Sequence, residues 1–112
     1  MSSQLVGVVC RIQRSTFEEE RVFRIDVKEG SEYVGIAPVR YCHLQDGEPI
    51  PVGAPEPGKY LDGVVDARLV RNGGSTAWVS LPTGETILVP AQSVLHREPV
   101  PEPRYVFVRP GS

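Results

Sequence analysis

The chain contains no apolar run near the ~20 residues that a membrane-spanning helix needs. Met1-Ser2-Ser3-Gln4 leads straight into an alternating pattern with no signal-type core, so a cytoplasmic protein with no membrane association is expected. Cysteine is scarce. Cys10 and Cys42 are the only two, both at positions patterned for an interior, so free buried thiols are expected rather than a disulfide. With His43 and His96 they offer no CxxC or HxxxH spacing, and they lie in different strands, which argues against a metal site. No glycine-rich loop opens a helix that would cradle phosphate, and no set of nucleophile and base presents itself. An enzyme and a bound cofactor are therefore not expected. The net charge of −2 excludes a global field drawing the chain to nucleic acid or acidic membranes. The charge is uneven, however: residues 1–58 carry six basic and nine acidic side chains, and residues 59–112 carry six and five.

What the chain has in quantity is turn formers. Glycine and proline occur 11 times each in 112 residues, which favours strands and turns over helices. The length suits one domain or two very small ones.

The most informative stretch is Val65 to Leu95. Val65, Ala67 and Leu69 alternate with Asp66, Arg68 and Val70, and Ala77, Val79 and Leu81 alternate with Trp78 and Ser80, the period of half-buried strands. A three-residue loop at Asn72-Gly73-Gly74 would pair Leu69 with Ala77 and Ala67 with Val79. A second loop, Pro82-Thr83-Gly84, would set Val79 opposite Ile87 and Ala77 opposite Val89. Pro90 ends the third strand, and Ala91-Gln92-Ser93 suffices for one helical turn.

The first half repeats this plan. Val6, Val8, Cys10 and Ile12 alternate like the later strand at a shift of 57, and Phe23, Ile25 and Val27 match Ala77, Val79 and Leu81 at a shift of 54. Pro38 matches Pro90, and Cys42 matches Val94, at a shift of 52. Glu48–Pro51 parallels Glu98–Pro101, and each proline segment precedes a tyrosine, Tyr60 or Tyr105. Such self-similarity implies two units, residues 1–58 and 59–112. The proline segments are expected to lie extended along strand edges, protecting them, with docking to a proline-reading partner as the alternative. Tyr105–Val108 would form a last strand that closes the second unit or pairs back onto the first.

Strand, hairpin, hairpin, then valine-proline and one turn resembles the SH3-like small barrels, including the Tudor and KOW types. The resemblance implies an all-β fold of two tandem SH3-like barrels with short helical turns and proline-rich connections. The aromatic motif of proline-peptide-binding SH3 domains is absent, so their groove is not implied.

The outward faces carry the functional candidates. In the expected register Arg68 stands opposite Trp78 and Leu88 lies beyond it, a guanidinium, indole and aliphatic cluster of the kind found at interface hot spots. Covering of Trp78 by the other unit is the alternative. Phe17, in the acidic loop Ser15–Glu20, is either a loop anchor, worth about 1.5–3 kcal/mol on burial, or a partner contact. Tyr33 and Tyr41 read as half-buried strand residues. Arg11 falls opposite Arg24, and like charges across strands destabilise unless an anion lies between them. Asp26 would supply one; otherwise Arg11, Arg24 and Arg14 would form a small anion or phosphate contact.

These features point to a non-enzymatic protein-binding module, an adaptor or accessory subunit of a larger complex. The alternative is a nucleic-acid-binding small barrel, for RNA or DNA, of transcription or translation. Homodimerisation through the final strand is compatible with both.

Overall fold

The computed structural model of the protein describes residues 4–27 and 30–96. The alternating segments become eight strands: β1 (Gln4–Arg14), β2 (Glu20–Asp26), β3 (Glu32–Pro38), β4 (Cys42–Leu44), β5 (Tyr60–Asn72), β6 (Thr76–Ser80), β7 (Thr86–Pro90) and β8 (Val94–His96). Single 3-10 turns, Val39–Tyr41 and Ala91–Ser93, follow Pro38 and Pro90. Proline has no amide hydrogen to donate to the ladder, so each strand ends there and the chain turns. Among the described residues no helix is long and apolar enough to cross a membrane.

All eight strands belong to one antiparallel sheet, ordered β3-β2-β1-β5-β6-β7, with β4 beside β5 and β8 beside β1. The sheet curls into a half-barrel. Its spine is the long ladder between β1 and β5, from Gln4↔Leu69 to Gln13↔Tyr60. Each spine strand leads into its own meander. The short strand that follows each meander then pairs with the spine strand of the other: Cys42 with Val65, and Val94 with Val8. The described parts of the segments 1–58 and 59–112 therefore share one merged sheet rather than forming two separate ones.

The inward faces form one core. Val6, Val8, Cys10 and Ile12 of β1 pack with Phe23 and Ile25, with Val65 and Ala67, and with Ala77, Val79, Leu81 and Val89. Burying these side chains at about 25 cal/mol per Å² is the main force curling the sheet. Two glycines permit close approach. A Cβ at Gly63 would clash with the His43 carbonyl oxygen and stand 2.5 Å from Ile12 Cδ1, so glycine lets β4 lie against β5. A Cβ at Gly35 would stand 2.7 Å from Phe23 Cζ. The far edges of the curl are linked by Tyr33 on β3, whose hydroxyl donates to Glu85 Oε1 at 2.5 Å and lies 2.9 Å from Thr83 Oγ1.

Several expected registers hold. Arg11 faces Arg24, Val79 faces Ile87 and Ala77 faces Val89. The hairpin between β5 and β6 differs from expectation. Leu69 pairs with Val79, not Ala77, and Arg71, not Arg68, stands opposite Trp78. The turn is tighter than the three-residue loop inferred from Asn72-Gly73-Gly74: Gly73 donates to the Thr76 carbonyl at 2.9 Å, leaving Gly74-Ser75 at the tip. Gly74 takes φ +89°, the positive angle that a two-residue hairpin needs at its first position. The register shift between Leu69 and Arg71 then absorbs an extra residue as a β-bulge.

The first proline segment folds against the sheet. Pro49 bridges to His43 on the free edge of β4, and Ile50 and Pro55 are buried. Arg14 and Arg21 tie the segment down, donating to the carbonyls of Gly53 (2.5 Å) and Ala54 (2.9 Å). Arg21 is only 3% exposed and also donates to the carbonyls of Glu18 and Glu20 at 2.6 and 2.7 Å. The second proline segment, Glu98–Pro103, and the expected strand Tyr105–Val108 lie outside the described residues.

Candidate interaction face

The outer face of β5, β6 and β7 gathers apolar side chains that the core does not use. Trp78, at the centre of β6, points outward because its neighbours Ala77 and Val79 point inward. It is 41% exposed, with Leu88 opposite on β7. On the β5 side the bulge sets two residues against one, so Val70 joins Arg71 beside the indole. Val70 is 55% exposed. The result is an apolar row, Val70, Trp78 and Leu88, with Arg71 at its side.

Arg68, the expected neighbour of Trp78, lies one row away between Leu5 and Ser80. There it borders a groove of about 380 Å³ lined by Leu5, Tyr41, Asp66, Arg68, Ser80 and Pro82. The topology opens this groove. On the edge of β5 away from β1, β4 pairs with residues 63–65 and β6 with residues 68–72, so Asp66 and Ala67 fall in the gap. Asp66 is held by His43, whose Nε2 is 3.2 Å from Oδ1. A smaller groove of about 180 Å³ occupies the corresponding gap on β1, and its lining includes Cys10, Arg11, Arg24, Asp26, Asp62 and Ser93.

The three arginines considered for anion contact are not gathered into one site. Arg11 and Arg24 do stand together, but their charge is met within the chain. Arg11 Nη2 is 3.3 Å from Asp26 and 2.5 Å from Glu32, and Arg24 Nη1 is 3.2 Å from Glu32. Arg24 Nε also donates to Gln13 Oε1 at 2.6 Å. Arg14 lies at the far end of β1, engaged with Gly53 and with Glu18 at 3.2 Å. Asp26 was legible as a partner from the sequence. Glu32 was missed, although the register that sets it opposite Asp26 places both carboxylates on one face.

Phe17 does not anchor its loop: it is 59% exposed, flanked by exposed Glu18 and Glu19. The loop is short enough to close on a backbone bond from Glu20 to the Phe17 carbonyl, at 3.2 Å, without burying the ring. It sits at the opposite end of β1 from Leu5, about 30 Å along an extended strand, so Phe17 and Trp78 do not share a site.

Cys10 and Cys42 are buried and unbridged. Burial raises both thiol pKa values, that of Cys42 to about 12, with the nearby Asp66 charge adding to the effect and Arg21 opposing it. At Cys10 the proximity of Cys42 adds to the burial. Such thiols stay protonated and are poor nucleophiles or ligands. Among the described residues no three His, Cys, Asp or Glu side chains are grouped to hold a metal ion, and His96 is exposed on β8.

Comparison with known proteins finds no matching family model, no similar curated protein and no similar solved structure.

Proposed function

We propose that this chain is a non-enzymatic protein-binding module, an adaptor or accessory subunit, that meets its partner through the outer face around Trp78. The observation that carries the reading is the apolar row of exposed Val70 and Trp78 with half-buried Leu88 on a three-stranded surface. Large amphipathic rings on such surfaces dominate binding energy because their desolvation costs little and their contact area is large. The two buried thiols fit a reducing, cytoplasmic setting.

The architecture behind this face is best read as two SH3-like units written in tandem, residues 1–58 and 59–112, that exchange their closing strands. The pairing registers support it. A shift of 57 residues for the spine strand, 56 for the second strand and 52 thereafter converts the pairs of one half into those of the other. Ile12↔Phe23 becomes Leu69↔Val79, Phe23↔Gly35 becomes Val79↔Ile87, and Val65↔Cys42 corresponds to Val8↔Val94. The second shift is 56, not the 54 read from residue types, because the tight Gly74-Ser75 turn and the bulge at Val70 together move β6 by two residues. Both grooves fall at the same place in the repeat, as the matching gaps in the pairing require.

Capture from an extract of the native host tests the function. Immobilised wild-type protein should retain a partner that the Trp78→Ala variant loses while keeping the same circular dichroism. Equal capture by both would remove the face from the account. A shift of single-stranded RNA at low salt would favour the nucleic-acid-binding alternative instead.

A further inference from the structure

We infer that the Trp78 face receives a segment of another protein that presents a carboxylate next to an apolar side chain. This rests on the protein-binding reading above and adds the chemistry of the partner. The argument comes from comparing two arginine sites at corresponding positions in the two halves.

In the first half, Arg11 lies at the mouth of the smaller groove, and Asp26 and Glu32 satisfy it and Arg24 from within the chain. Asp26 and Glu32 face each other across β2 and β3. In the second half, Arg68 occupies the place of Arg11 on its spine strand. The same register puts Pro82 and Gly84 where Asp26 and Glu32 stand, and neither carries a charge. Among the described residues no carboxylate forms an ion pair with Arg68 or Arg71. Asp66 shares the groove but is engaged by His43. Among the described residues, the first half thus meets its arginines with its own carboxylates, whereas Arg68 and Arg71 are exposed, Arg68 beside an open groove about twice the volume.

The neighbouring surface selects the kind of anion. Leu5, Val70, Trp78 and Leu88 surround the two arginines, so an occupant must cover apolar area as well as charge. Guanidinium matches a carboxylate in a planar, two-bond geometry. Two cations on a largely apolar face release few counterions from a polyphosphate, so nucleic acid gains little here. An acidic peptide segment with a leucine-like or aromatic residue satisfies both requirements.

Trp78 is the only tryptophan, so its emission reports the face directly. We would titrate the protein at low ionic strength with a blocked peptide of alternating glutamate and leucine, its lysine-leucine counterpart, and oligouridine. The expected result is a saturable shift with the acidic peptide alone. Its affinity should fall about tenfold or more in the Arg68→Gln/Arg71→Gln variant and stay unchanged in Arg11→Gln. An equal response to the lysine peptide, tighter binding of oligouridine, no saturable change, or full affinity in the double variant would each overturn the inference. So would self-association of the protein alone that the double variant abolishes, because the occupant would then be the Ser15–Glu20 loop of a second copy. Should Trp78→Ala lose a captured partner that the double variant keeps, binding through this face stands and the acidic assignment fails.

Discussion

Arg11 and Arg24 stand opposite each other across β1 and β2 and share the carboxylate of Glu32. Two like charges in that register repel, and one anion between them turns the repulsion into attraction. Glu32→Gln should therefore cost about 1 kcal/mol in urea unfolding at low salt, less at high salt, because the group is partly solvated. The same variant should create a weak anion site in the first half, detectable as acidic-peptide binding that Trp78→Ala does not remove.

Arg21 connects the proline segment to the start of β2 through three backbone carbonyls in a site almost closed to water. Arg21→Met leaves those oxygens without their donor. A loss of about 3 kcal/mol is expected in denaturant unfolding, and Arg21→Lys should recover only part of it because an ammonium lacks the planar fork.

Gly63 admits β4 against β5 at a distance that excludes a side chain. Gly63→Ala should cost about 2–3 kcal/mol, since the backbone of His43 cannot yield as a side chain would. Hydrogen exchange should localise the loosening to residues 42–44 and 63–65.

The buried thiols make the fold sensitive to alkali. Folding raises the pKa of Cys42 from 9.0 to about 12, so its contribution is fully present below pH 9 and is lost as pH rises toward 12. The unfolded state ionises first, and stability should fall by about 1.4 kcal/mol per pH unit for each such thiol in that window. Urea midpoints at pH 8, 9, 10 and 11 check this, and Cys42→Val should remove one thiol's share. At pH 8 neither cysteine should react with a thiol reagent until denaturant is added.

The strands, the inner face and most pairings were legible because period-two alternation reports burial directly: Val6, Val8, Cys10 and Ile12 are all inside. The neighbour of Trp78 was not, because a bulge at Val70 leaves no mark in alternation and depends on whether the turn closes at two residues or three. Nor was the pairing of β4 with β5 and of β8 with β1. Cys42 packs inward whether it pairs with β1 or β5, so the hydrophobic pattern is the same for both. The choice between loop anchor and exposed contact for Phe17 was not legible, because ring burial favours an anchor only where the loop is long enough to fold back over the core. Buried Arg21 was invisible in composition, since its partners are carbonyl oxygens that any residue supplies.

Hydrogen exchange of the protein alone and bound to the partner captured from its native host tests the central claim most directly. Protection on binding should concentrate in residues 68–90, around Val70, Trp78 and Leu88, and should vanish in Trp78→Ala. Protection confined to the Ser15–Glu20 loop or to β3, with the Trp78 face unchanged, would contradict the account.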